Sequence, residues 1–226
     1  MAAAVRLRET AVAAVGEFGR AVQARLLAGG ATALDADRPE PGPARALVLV
    51  SWRPEPDRAQ RFDELARRAG IGWLPVVLDH PLLVAGPWLA PAGPCYDCYL
   101  FRREQHDPKS RHRADLLAAY RADDTLGVYG HLPHHVRMAE GLVRLLLQNP
   151  RPGMTTMADL ATMTVNRADL IARHGCPAAA PPTPGAATPG WPRSSRRPQG
   201  ACRKEQRDDP AGSSRDGGRA RRRQHS

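Results

Sequence analysis

Two cysteines three positions apart, in Gly93-Pro94-Cys95-Tyr96-Asp97-Cys98-Tyr99, constrain this chain more than any other feature. A pair at that spacing can close on one metal ion from a tight turn and supply half of a tetrahedral zinc site. The other half has to arrive from elsewhere, and His174-Gly175-Cys176-Pro177 is the stretch that offers it. Cys95, Cys98 and Cys176 are therefore the candidate zinc ligands, and the fold has to strap two distant stretches together. A third thiolate leaves one coordination position for water, for His174 or for nothing. A redox pair or two ordinary thiols are the competing readings of a single C-x-x-C.

Charge narrows the function classes. The 226 residues carry a formal charge of +10, which suggests nucleic acid until it is divided along the chain. Residues 178–226 hold 11 Lys+Arg and 4 Asp+Glu, a net +7; residues 1–177 keep 22 and 19, a net +3. The basicity lies in the last stretch, which also holds 7 Pro, 6 Gly and the run Arg219-Ala220-Arg221-Arg222-Arg223. With almost no aliphatic side chains to bury, that stretch is expected to be a disordered tail. The organisation predicted is one α/β domain over 1–177 and a tail over 178–226. Cys202 falls in the tail, and polyanion binding there would be nonspecific.

The N-terminus carries Arg6, Arg8 and Glu9 where a signal peptide needs an apolar core. No apolar run reaches the roughly 18 residues of a membrane span. Four cysteines without a secretory signal argue against a disulfide framework. These features predict a cytoplasmic protein with no membrane partner.

Ala11 to Val15 reads as a strand, Gly16-Glu17-Phe18-Gly19 as a glycine turn, and Ala21 to Leu26 as a helix, the opening of a Rossmann-type unit. Gly16 and Gly19 are the candidate cofactor-binding glycines. The turn is one glycine short of the dinucleotide fingerprint, so glycine used simply for packing is an equal reading. A short strand at Thr32 to Asp35 would follow, with Asp35 or Asp37 as a ribose-binding acid or a solvated loop residue. Ala46 to Val50 reads as a strand buried on both faces, as parallel sheets require. Helices are predicted over 57–69, 99–105, 114–121 and 133–148, and strands over 73–78 and 82–89 with a turn at Gly86-Pro87. Met157 to Leu170 reads as one more strand or an edge hairpin. The fold class expected is α/β, with a mostly parallel sheet flanked by helices.

The order of these pieces, with "WLPVVLDHPLLVAGPWLAPAGPCYDCYLFRR" at its centre, resembles the ThiF-like, ubiquitin-activating-enzyme-type proteins of azole-forming peptide clusters, the cyclodehydratase-domain or precursor leader peptide-binding proteins. The resemblance rests on Gly86, Pro87, Pro91, Pro94, Cys95, Cys98 and Arg102, on the helix 133–148, and on "MADLATMTVNRADLIARHGCP". It implies a partner or scaffold subunit beside a YcaO-type cyclodehydratase, presenting a precursor peptide for bacteriocin-like modification. It also implies zinc at the cysteines, and a homodimer is left open.

Three departures qualify it. Ala179 stands where the family's fourth cysteine would be, which implies an altered C-terminus such as a frameshift produces. About ten residues precede the first strand, where many relatives carry a leader-binding domain. Ser51-Trp52 follows the central strand where an active ATP site needs a metal-binding acid, so ATP binding is not expected. The rival readings are a ThiF-type ATP-dependent adenylating enzyme, a basic-tailed zinc protein on nucleic acid, and a decayed reading frame. His131, His134 and His135 read as a solvated helix start or a second metal or acid–base site. Arg102-Arg103 reads either as a carboxylate anchor or as plain surface.

Overall fold

The computed structural model describes residues 4–106 and 110–179, all within a unit that ends at Pro184. The tail expected from residue 178 onward, and Cys202 with it, lies outside the described residues except for Ala178 and Ala179. Those two belong to a 3-10 turn, Pro177–Ala179.

Among the described residues, seven strands form one sheet: β1 (Thr10–Val15), β2 (Thr32–Leu34), β3 (Ala46–Ser51), β4 (Gly72–Asp79), β5 (Leu82–Ala85), β6 (Met154–Asp159) and β7 (Thr164–Asp169). Their spatial order is β2-β1-β3-β4-β5-β6-β7. Five α-helices of the described residues accompany them: α1 (Gly16–Ala28), α2 (Pro56–Ala69), α3 (Tyr96–His106), α4 (Ser110–Ala122) and α5 (Pro133–Gln148). All six residues of β3 are buried, because β1 and β4 flank it and helices cover both faces. Val12, Val48, Val50, Leu74 and Val76 meet α1 and α5 on one side. Ala11, Ala13, Leu47, Leu49 and Trp73 meet α2 on the other. The two side-chain sets alternate along each strand, as the pleat demands.

The expectation of a mostly parallel sheet holds for only half of it. β2, β1, β3 and β4 pair in parallel, whereas β4–β5, β5–β6 and β6–β7 are antiparallel. Connection length accounts for the two hairpins, β4–β5 and β6–β7. A parallel return needs a crossover of a dozen or more residues, while antiparallel neighbours accept a hairpin. Only His80-Pro81 separates β4 from β5. The β6–β7 turn is closed by Asp159, whose carboxylate accepts the N–H groups of Ala161 and Thr162 at 2.9 and 3.1 Å. Met157 to Leu170 is thus an edge hairpin.

The predicted strand over 82–89 is broken at Gly86, after which Leu89 pairs back onto Trp73. α4 begins at Ser110, ahead of the start predicted at 114. α5 has the predicted bounds, with Val136, Ala139, Val143, Leu146 and Leu147 buried. At roughly 1.5–3 kcal/mol for each large aliphatic side chain, that stripe anchors the helix over β4 and β5. No helix of the described residues is long and apolar enough to cross a membrane.

Candidate functional site

The three sulfurs come together where the start of α3 meets the segment after β7, beside Arg67 of α2. Cys95 lies just before α3 and Cys98 in its first turn, where the Cys95 carbonyl accepts the Tyr99 N–H at 3.2 Å. Cys176 enters from the segment after β7. Its N–H donates to the Arg173 carbonyl and its carbonyl accepts the Ala179 N–H, both at 3.1 Å. Gly175 makes this tight turn with φ of +70°, a backbone region where a side chain is strained. Sγ–Sγ separations are 3.6 Å for Cys95–Cys98 and 3.5 Å for Cys95–Cys176, and all three sulfurs lie within 4.8 Å of one another.

Tetrahedral zinc with bonds of about 2.3 Å requires sulfurs about 3.8 Å apart, so the donor set fits such an ion with little adjustment. His174 is exposed and does not join the cluster. The candidate ligand set among the described residues is therefore three thiolates, with a fourth position for a small ligand.

Cys95 and Cys98 differ in acidity. Burial pushes the Cys95 thiol up to about 12, with the adjoining Cys176 and Cys98 sulfurs adding to the rise. Burial also acts against the Cys98 thiolate, but the backbone N–H groups of Arg173 and Cys95 outweigh it and hold Cys98 below its ordinary value. The Arg173 N–H reaches the Cys98 sulfur at 3.3 Å. Cys98 thus ionises before Cys95, and a divalent cation beside it would draw off the Cys95 proton.

A residue of α2 positions both halves of this cluster. Arg67 donates to the carbonyls of Pro91 and Pro94, before Cys95, and to the carbonyl of Ala178, after Cys176. Asp63 fixes Arg67 at 3.0 Å and accepts the Trp73 indole N–H at 2.9 Å. A bond from position 67 to position 178 has no signature in local periodicity.

The glycine turn lies where β1 and β3 diverge, the crevice at which open α/β sheets bind ligands. Here it is occupied by Trp52. A Cβ built on Gly16 would lie 2.1 Å from Trp52 Cδ1, and one on Gly127 would lie 2.5 Å from Trp52 Cζ3. Tyr129 stacks on the indole at 4.4 Å and 21°. A Cβ on Gly19 would lie 2.6 Å from the Val50 carbonyl, so that glycine lets α1 approach β3. Packing accounts for the missing side chains of both Gly16 and Gly19. A cavity of about 420 Å³ remains beside the indole, lined in part by Arg20, Arg58 and His131. Asp35 caps its own loop, accepting the Asp37 and Arg38 N–H groups, and Asp37 pairs with Arg58.

Arg53 was not singled out by sequence. Buried at 3% exposure, it donates to the carbonyls of Tyr120, Asp123 and Leu126, clamping the α4–α5 loop over the crevice. The histidines are not uniformly solvated. His135 is buried, and its Nδ1 accepts the Leu132 N–H at 3.2 Å. His131 stands edge-on to Phe18, and among the described residues no histidine joins a metal-ligand cluster. Arg103 pairs with Asp79 and the Tyr99 hydroxyl, while Arg102 donates to the carbonyls of Ile171 and Ala172.

No family model matches the chain, and no curated protein matches it by sequence. Solved structures share the fold. The heterocyclase TruD is similar at 19% identity and a TM-score of 0.51, over 75% of this chain and 27% of that one. A chain of the E. coli microcin synthetase McbBCD complex is similar at 14% identity and 0.55, over 74% and 66%. The same complex with pro-MccB17 bound gives 14% and 0.54, over 79% and 72%. This chain therefore spans about a quarter of the TruD chain and about two thirds of the first microcin synthetase chain. At these identities the likeness is one of fold.

Proposed function

We propose that a chain with this fold, shared with a heterocyclase and with microcin synthetase chains, is a partner subunit in azole-forming modification of ribosomally made peptides. It docks the precursor peptide or the YcaO-type cyclodehydratase and leaves ATP chemistry to that enzyme. The carrying observation is the three-cysteine cluster, which joins the start of α3 to the segment after β7. The crevice supports the same division of labour: Trp52 lies on Gly16, where a phosphate-binding turn would need open backbone. In this reading zinc is a structural ion held by Cys95, Cys98 and Cys176. It orders the docking surface and does no chemistry on the peptide.

The test is co-purification of the full chain with the YcaO-type protein and precursor peptide encoded beside it, together with ATP–pyrophosphate exchange by the chain alone. Recovery of either partner, with no exchange, is expected. Recovery of neither overturns the reading. Exchange dependent on a peptide carboxylate would make the chain an adenylating enzyme instead.

A further inference from the structure

The antiparallel half of the sheet is covered unequally. Leu83, Ala85, Met154 and Ala158 point to α5 and are fully or nearly buried. The opposite face forms a groove of about 650 Å³ against α3. Leu82, Val84, Met157 and Leu170 make its floor and Tyr99 its wall. Ile171 stands at the mouth with 72% of its surface exposed. The parallel half has α2 on this side; the antiparallel half has open space within the range of ligand pockets.

The rim of this apolar floor is cationic. Arg102, Arg103, Arg113 and His106 line the groove; Arg103 and Arg113 share Asp79, and Asp169, the acid among the described lining residues, is held by Arg151 at 2.8 Å. The described partners of Arg102 are the carbonyls of Ile171 and Ala172 and the side chain of Gln105, none of them a carboxylate, so its charge is available at the rim. The walls are tied to the cysteine cluster. α3 starts at the Cys95/Cys98 turn, and the opposite wall runs through Leu170 and Ile171 to Arg173, whose N–H reaches the Cys98 sulfur.

We infer that this groove docks an extended peptide segment of a partner, one that alternates apolar and acidic side chains. An extended chain sends successive side chains to opposite sides, so apolar ones would descend onto Leu82, Val84 and Met157 while carboxylates face Arg102. Guanidinium–carboxylate pairing supplies register, and the apolar floor supplies affinity. Charge selects the occupant. The chain's own residues 178–226 carry a net +7, the same sign as the rim, which disfavours them. The inference depends on the partner-subunit reading only in that the occupant is a peptide.

The experiment uses the full chain and two labelled octapeptides, acetyl-(Glu-Leu)4-amide and acetyl-(Lys-Leu)4-amide, titrated by fluorescence anisotropy. Saturable binding of the acidic probe is expected, at least tenfold tighter than the basic one. Arg102→Glu and Leu82→Glu should each weaken it tenfold or more, and Arg102→Gln by a smaller factor. Arg38→Glu, beyond the opposite edge of the sheet, should leave it unchanged. Circular dichroism identifies any variant that fails to fold, and the Arg102 variants, changed at the rim, carry the test if Leu82→Glu does. Equal binding of both probes, unchanged binding by folded Arg102→Glu, or no saturable binding overturns the inference. No saturable binding is also the result if the chain's own tail or a second copy fills the groove. A chain that ignores the probe yet co-purifies with its precursor loses this surface and keeps the partner role.

Discussion

Cys176→Ser separates a metal site that depends on folding from one that merely contains cysteines. Cys95 and Cys98 are three residues apart, so an unfolded chain presents that pair almost as well as the folded one. Cys176 is 81 positions from Cys95 in sequence, yet its sulfur lies 3.5 Å from that of Cys95. Only folding brings it there. A ligand that binds the native state alone stabilises it by RT ln(1 + [L]/Kd), about 4.1 kcal/mol at a free concentration of 1,000 Kd. For a domain of this size each kcal/mol moves Tm by about 2–4 °C, which gives a rise of about 8–16 °C for zinc-loaded over chelated protein. Binding to the unfolded state cancels the effect, so Cys176→Ser should melt at nearly the same temperature with and without zinc. The assay is a pair of thermal melts, with and without buffered free zinc. The reasoning is refuted if the wild type is indifferent to zinc, or if Cys176→Ser keeps the full rise.

Gly16→Ala should destabilise the fold by about 1–2 kcal/mol for its left-handed backbone alone, φ being +74°, with a further cost from the indole that adding Trp52→Ala would remove in a double-mutant cycle. Arg67→Lys, which loses the forked reach to Pro94 and Ala178, should weaken zinc affinity by about 10- to 100-fold, as losses of supporting hydrogen bonds around metal sites do, measured by chelator competition. His135 has its pKa lowered by burial first and by His134, His80 and His131 next. The unfolded chain therefore takes up this proton at higher pH than the folded one. The associated stability is whole above about 6.5 and is lost as pH falls through the lower folded value. Denaturant midpoints against pH should show that decline, and His135→Gln should flatten it.

The parts legible in the sequence were those whose signal is local. β3 reads as a strand because five successive aliphatic residues need cover on both sides, and α5 because its apolar residues recur at helical spacing. β7 has no such signal, since every residue of Thr164–Asp169 is exposed and its partner β6 supplies the register. The antiparallel β4–β5 pairing follows from its two-residue link, whereas β6 returns to β5 from beyond α5, a pairing with no local signal. The cysteine cluster was visible because thiol spacing is a sparse code. The supports of that cluster were invisible: Arg67 and Arg53 act on backbone carbonyls 24–111 and 67–73 positions away, and surface arginines look the same in sequence. Gly16 and Gly19 looked like a phosphate turn, but the group packed on Gly16 is an indole from position 52.

The most direct measurement is zinc-edge X-ray absorption on the purified full chain, combined with metal analysis. The account predicts one zinc per chain with three sulfur neighbours at about 2.3 Å and one lighter atom, falling to two sulfurs in Cys176→Ser. A metal-free protein, or a wild-type site with no sulfur contributed by Cys176, would contradict it.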